Sequence, residues 1–187
     1  MIRKFQFLQT KFNGPLLITP FKADDERGYF IKDYTYPLFS ENNITEHLRE
    51  VFYTHSHKGV IRAIHFQSIK EQAKIVRCIK GKIYDVIVDL RPDSLTFGQW
   101  EGFYLDESNN LELYVPQGFG HGYNVLEDSI VSYKCTEDFY AQGDDGILYN
   151  DSELNIDWKI VNNDSIILSD KDKNLQSFSE FKKKLGL

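Results

Sequence analysis

Ile83-Tyr-Asp-Val-Ile-Val-Asp-Leu90 decides the architecture. Ile83, Asp85, Ile87 and Asp89 alternate with Tyr84, Val86, Val88 and Leu90. A strand sends successive side chains to opposite faces, so this octet sets two carboxylates on one face and an entirely apolar face behind them. Short apolar runs of the same kind recur on both sides, about every 8–12 residues, which is the all-β pattern. Val51–Ser56, Val60–Phe66, Ala73–Ile79, Gly98–Leu105, Leu111–Val115, Gly122–Leu126 and Ile130–Thr136 read as further strands. Between them lie turn residues. Lys80-Gly81 reads as a tight hairpin, and Arg91-Pro-Asp-Ser94 and Asp106-Glu-Ser-Asn-Asn110 as turn clusters. Helix is expected only at Pro37–Leu48 and at Phe178–Leu187, where a Lys cluster suits the negative helix end. The expectation is one all-β domain over residues 1–187, arranged as a sandwich or barrel.

Composition narrows the function. A chain of 187 residues buries enough surface for a core without disulfides. Cys78 and Cys135 sit in apolar runs and are expected to be buried thiols. A net charge of −6 argues against a nucleic-acid partner, since phosphate affinity comes from clustered Lys and Arg. A small anionic ligand needs only two or three local cations and stays open. No stretch approaches the roughly 18 apolar residues of a membrane span, and Met1-Ile-Arg-Lys4 does not open a signal peptide. The expected compartment is the cytoplasm, with no membrane partner. Phe, Tyr and Trp make up 14% of the chain, which suits ring-lined pockets.

Two segments carry chemistry. In Gly59-Val-Ile-Arg-Ala-Ile-His65-Phe-Gln67, strand alternation puts Ile61, Ala63 and His65 on one face and Arg62, Ile64 and Phe66 on the other. A lone His beside small apolar residues is ordinarily a satisfied core residue, but Arg62 precedes His65 and Lys74 follows within an apolar run. Cations flanking strand cores are costly without a partner or a purpose. The second segment is Val115-Pro-Gln-Gly-Phe-Gly-His121-Gly-Tyr-Asn124. Together the two resemble the paired motifs of the cupin superfamily, which implies a jelly roll (double-stranded β-helix). Gln67 stands where the second metal-binding His of a cupin belongs, leaving His65, Glu71 and His121. The expectation is therefore no metal and no cofactor.

The resemblance narrows further. Asp25-x-Arg27-Gly-x-Phe30, Gly59–Gln67, Gln72-Ala-Lys-Ile-Val-Arg77, Asp85-Val-Ile-Val-Asp-Leu-Arg91, Ser94–Trp100, Pro116–Gly122, Tyr133-Lys-Cys-Thr136, Asn150-Asp151, Ile156-Asp-Trp158 and Leu168–Asp172 follow one another in register. In order and spacing they resemble the dTDP-4-dehydrorhamnose 3,5-epimerase family, cupin-fold enzymes that work without metal. The resemblance implies proton removal beside the C4 ketone of a nucleotide-linked 4-keto-6-deoxyhexose, then reprotonation from the opposite face at C3, C5 or both, in deoxysugar synthesis. Such chemistry needs a base, an oxyanion stabiliser and an acid.

On this resemblance His65 is the base and Asp172 the carboxylate that orients it. Lys74 steadies the enolate oxygen, and Tyr133 is the acid. His121 and Asp85 form an inner pair, His121 lining the pocket and Asp85 behind it. Arg27 and Arg62 meet the diphosphate, Phe30, Phe139 and Tyr140 are candidates to stack on the base, and Gln67 is a further substrate-binding residue. Three positions depart from the family: Lys32 where a Glu is usual, and Glu50 and Phe52 in place of Gln and Asn. All three belong to its nucleotide end, so CDP and GDP stand beside dTDP as expected carriers. Ala63 and Ile64 replace Gly and Leu, and are expected to narrow the space beside His65 and favour one carbon. The resemblance also implies a homodimer with N-terminal strands crossing between subunits. Three rival readings remain: a non-catalytic nucleotide-sugar-binding cupin, a 3,4-ketoisomerase, and a metal-dependent cupin using His65, Glu71 and His121. His65 together with Tyr133 speaks against the pure binder, which needs neither acid nor base.

Overall fold

The computed structural model describes residues 2–161 and 165–187. In chain order its elements are β1 (Ile2–Arg3), β2 (Gln6–Gln9), β3 (Leu16–Thr19), β4 (Phe21–Asp25), β5 (Gly28–Lys32), α1 (Tyr36–Glu41), β6 (Glu50–Ser56), β7 (Ile61–Gln67), β8 (Lys74–Asp89), β9 (Trp100–Asp106), β10 (Glu112–Val115), β11 (Phe119–Cys135), β12 (Asp144–Gly146), α2 (Asp170–Lys173) and α3 (Phe178–Lys184). The architecture is a jelly roll with three short helices.

Two long strands organise it. Runs 73–79 and 83–90 are one strand, β8, and runs 122–126 and 130–136 are one strand, β11. Lys80-Gly81 is therefore not a hairpin. β8 passes through Gly81 (φ +77°), and the β8–β11 ladder shifts register between Val125 and Val131 opposite it. A Cβ at Gly81 would lie 2.2 Å from the Asp128 carbonyl oxygen, so the close approach of the two backbones requires glycine. The first half of β8 pairs with β10 and with the far half of β11, which also pairs with β6. The second half of β8 pairs with β9 and with the near half of β11, which also pairs with β7. The sequence β2-β3-β10 extends the first sheet and β12 extends β7.

Three packed cores result. Between the sheets lie Val76, Cys78, Ile83, Ile87, Val125, Val131 and Cys135. Both cysteines are free and buried, as expected, and burial pushes each thiol up to about 11. Tyr84, Val86, Val88 and Leu90, the apolar face of the opening octet, pack outside under Leu154, Trp158, Phe178 and Phe181. Helix α3 thus covers the second sheet, as its expected amphipathicity requires, and a Ser177–Glu180 capping box starts it. Leu16, Ile18, Phe39, Ile44 and Ile75 form the third core. Helix α1 is shorter than the expected Pro37–Leu48, because Asn43 takes φ +65° and turns the chain after Glu41.

Strands β1, β4 and β5 make a separate three-stranded sheet, with Tyr29 and Phe30 more than half exposed. Among the described residues no helix is long and apolar enough to cross a membrane.

Candidate active site

Strict alternation fails at β7, and the failure builds the site. His121 pairs with His65, but Tyr123 pairs with Arg62, so three residues of β7 span two of β11. This bulge turns both Arg62 and His65 into one cavity and leaves Ala63 and Ile64 in the outer core. The opposing residue is Gly122. A Cβ there would lie 2.6 Å from the Arg62 carbonyl oxygen and 2.8 Å from the Ala63 methyl. Ala63 and Ile64 therefore do not narrow the space beside His65, contrary to the expectation drawn from them.

The cavity, about 550 Å³, lies between β6, β7, β8, β11 and the α2 segment. Its walls include His65, Tyr133, Asp172 and Lys74, together with Glu50, Phe52, Arg62, Gln67 and His121. The expected base and acid open into the same space. Thr54, Phe66, Gln72, Asp144, Ser169 and Lys171 also line it, beyond the site candidates the sequence offers. Thr54 was readable from the alternation Glu50-x-Phe52-x-Thr54. Nothing local marks Asp144 or Lys171, which form an ion pair with each other.

His65 Nε2 lies 2.7 Å from Asp172 Oδ1. Asp172 sits in α2, whose N-cap Ser169 accepts a hydrogen bond from the Asp172 N–H at 3.0 Å. Burial pushes the Asp172 carboxyl up, but His65, Ser169 and Lys171 more than offset it and hold the group below the ordinary carboxylate range. A second pair lies deeper. His121 Nε2 is 3.0 and 2.9 Å from the two oxygens of Asp85, which is fully buried. Desolvation raises the Asp85 carboxyl against the opposing pull of His121 and Lys74. Burial also pulls the Lys74 ammonium below its usual range, with Cys135, Asp144 and Asp85 working the other way.

Tyr133 is 8% exposed. Burial first, then Tyr123 and Asp85, push its phenol well above the usual value of 10.0. Its ring stacks on Phe52 with centroids 4.9 Å apart and meets the edge of His121 at 6.0 Å. Arg62 donates from Nε and Nη2 to Ser56 Oγ at 3.1 Å. Gln67 braces a loop: its Nε2 donates to the Lys70 carbonyl at 2.7 Å, and its Oε1 accepts from the Tyr140 N–H at 2.7 Å. Tyr140 does not line the cavity, and its neighbour Phe139 does. Arg27, Phe30 and Lys32 lie on the β4–β5 hairpin and do not line the cavity of their own chain; Arg27 is 85% exposed and pairs with Asp25.

The metal set does not assemble. Glu71 lines a neighbouring hollow, and both histidines commit Nε2 to carboxylates. Among the described residues no three His, Cys, Asp or Glu side chains gather as ligands.

A carboxylate-backed imidazole, a desolvated lysine and a buried phenol around one cavity of a jelly roll define a cupin built for acid–base chemistry. Residues 9–180 match the family profile described as dTDP-4-dehydrorhamnose 3,5-epimerase, and the chain belongs to that family. It is 40% identical over 178 residues to the dTDP-4-dehydrorhamnose 3,5-epimerase of Methanothermobacter thermautotrophicus, covering 95% of this chain and 96% of the other. The Legionella pneumophila dTDP-6-deoxy-D-glucose-3,5-epimerase, solved with dTDP-4-keto-L-rhamnose, superposes with a TM-score of 0.93 at 33% identity over 97% of each chain. The Bacillus anthracis dTDP-4-dehydrorhamnose 3,5-epimerase, solved with TDP and PPi, gives 0.89 at 39% identity, covering 94% of this chain and 100% of that one.

Proposed function

We propose that this protein is an epimerase of a nucleotide-diphospho-4-keto-6-deoxyhexose, inverting C3 and C5 in deoxysugar synthesis in the cytoplasm. The observation that carries the reading is the shared cavity of His65, Lys74 and Tyr133, with Asp172 behind the imidazole. With Nε2 turned to Asp172, Nδ1 of His65 takes the proton from the carbon beside the C4 ketone. The C–H electron pair moves into an enolate, and Lys74 stabilises the charge on the C4 oxygen. A single oxyanion donor in a dry site supplies roughly 3–4 kcal/mol. Tyr133 then gives its hydroxyl proton to the same carbon from the other face, the ketone reforms, and a phenolate remains. Burial disfavours that phenolate, so it regains a proton readily and resets the acid. The imidazolium returns its proton to solvent.

The diphosphate falls to Arg62 from within the chain and to Arg27 from a second copy. The β4–β5 arm carries Arg27, Phe30 and Lys32 away from its own cavity with two exposed rings, which suits a homodimer of single-domain chains whose arms each close the partner's site. The ligands of the Legionella and Bacillus relatives favour dTDP as carrier. Glu50 and Phe52 line the cavity, whereas Lys32 lies on the arm outside it.

Incubation with dTDP-, CDP- and GDP-4-keto-6-deoxyhexoses in D2O tests the reading. Deuterium at C3 and C5 of the dTDP sugar with inverted product is expected. Absence of exchange with every nucleotide overturns it. Calorimetry with the three free nucleotides is expected to favour dTDP, and a clear preference for CDP or GDP reassigns the carrier.

A further inference from the structure

We infer that Phe52 is a positioning residue for the reaction, acting through Tyr133 rather than through the substrate. The inference rests on Tyr133 being the acid. Phe52 lies directly opposite Tyr133 in the β6–β11 ladder. The two rings are near-parallel, 14° apart with centroids at 4.9 Å, while His121 meets Tyr133 edge-on at 80°. One near-parallel ring and one near-perpendicular ring in contact restrict how the Tyr133 ring can turn. Asn in place of Phe52 supplies no such ring face.

Phe52 belongs to a row. The residues of β6 that face inward are Glu50, Phe52, Thr54 and Ser56. Glu50 accepts from the Phe139 N–H at 3.2 Å, Thr54 Oγ1 lies 2.9 Å from the Tyr123 hydroxyl, and Ser56 accepts from Arg62. Each braces a different group in or behind the cavity wall, and Phe52 braces the one whose placement decides the outcome of a turnover. Once His65 holds the carbon's proton, that proton exchanges with solvent. Return from His65 gives labelled, uninverted substrate. Delivery of the phenol proton from the opposite face gives inverted product and a phenolate. The partition depends on how closely the hydroxyl sits to the carbon, and a misplacement of about 1 Å costs roughly 10²-fold. Phe52 is 42% exposed at the cavity wall, so its truncation frees the phenol without opening a buried core.

The test measures inversion per deuterium incorporated in D2O for wild type, Phe52→Ala, Phe52→Tyr, Tyr133→Phe and Phe52→Ala/Tyr133→Phe. Phe52→Ala is expected to lower the ratio by about tenfold or more, with exchange and KM within about threefold of wild type. Phe52→Tyr restores the ratio, because it keeps the ring. The double variant falls no further than Tyr133→Phe, since both act on one group. An equal fall in exchange and inversion makes Phe52 merely structural, and a raised KM with an unchanged ratio makes it a substrate contact; either overturns the inference. A ratio unmoved in Tyr133→Phe overturns the acid assignment itself and this inference with it. A ratio lowered there but not in Phe52→Ala overturns the positioning role alone.

Discussion

His65 and His121 are cross-strand partners on β7 and β11, and each turns Nε2 to its own acidic side chain. Asp172 backs the first and Asp85 the second, at 2.7 and 2.9 Å. Both residues line the cavity, and Nδ1 is the ring nitrogen that neither turns to a carboxylate. The pairs differ in setting: the His65 side chain is 26% exposed and the His121 side chain 4%. The ring nearer solvent can release a proton after each turnover, and the deeper one is suited to hold a fixed arrangement against Tyr133.

His65→Asn is expected to abolish exchange at both carbons, a loss of about 10²–10⁴-fold. Tyr133→Phe should leave some exchange and impair inversion, because abstraction precedes the second transfer. Proton NMR in D2O reads both. Equal and complete loss in the two variants counts against separate roles.

Asp172→Asn keeps the shape of the pair and removes the charge that steadies the imidazolium. Turnover is expected to fall by about 10²–10⁴-fold with KM little changed. Steady-state kinetics decides it. A change confined to KM would place Asp172 in binding instead.

Asp89 is buried at the end of β8 and accepts from Arg91, Ser94 and Thr96. Desolvation opposes those bonds, and they prevail, holding its carboxyl at about 2 against a usual 3.8. The native state thus binds fewer protons than the unfolded one between these values. This stabilisation is complete above about pH 4 and disappears as pH falls through 2, and it amounts to about 2 kcal/mol. Asp89→Asn should lower the urea midpoint at pH 7 and lose less on acidification than wild type does.

Glu112 has the opposite sign. Burial pushes its carboxyl up to about 8, although Lys134 Nζ lies 3.8 Å away. Between pH 4.5 and 8 the folded chain keeps a proton that the unfolded chain has released, so stability falls as pH rises. Glu112→Gln should flatten that slope. Urea midpoints at pH 5 and pH 8 that fall equally in variant and wild type would exclude it.

Mixed dimers test whether the arm crosses to a second copy. Arg27→Ala should raise KM roughly tenfold through loss of a charge-assisted contact, and His65→Asn should be inactive. Co-refolded together at equal amounts and assayed at low substrate, they should recover roughly a quarter of wild-type activity, because half the dimers then hold one intact site. Activity no greater than half that of Arg27→Ala alone would mean that each arm serves its own chain.

The sheet strands were legible because burial imposes period two on them: the octet Ile83–Leu90 divides between two cores as its alternation requires. Continuity was not legible. Gly81 serves a turn or a close approach equally well, and only the partner strand decides which. Face assignment failed at β7 for a related reason, since the bulge depends on Gly122, far away in sequence. The family resemblance brought out Asp172, which local sequence presents as part of a charged tail and the structure seats in a four-residue helix beside His65. The tip of the β4–β5 arm carries no alternation to read, because residues 24–30 are all exposed in the chain.

Strands β8 and β11 each serve both sheets, and among the described residues β6 has no ladder partner except β11. This orders events on the ribosome. Lys74 and His65 emerge early and wait for Tyr133, while the aromatic edge of β6 stays bare until Cys135 has cleared the exit tunnel. A nascent chain of this protein is thus most exposed to aggregation before Cys135 emerges, and its site is still incomplete then, because Asp172 follows 37 residues later.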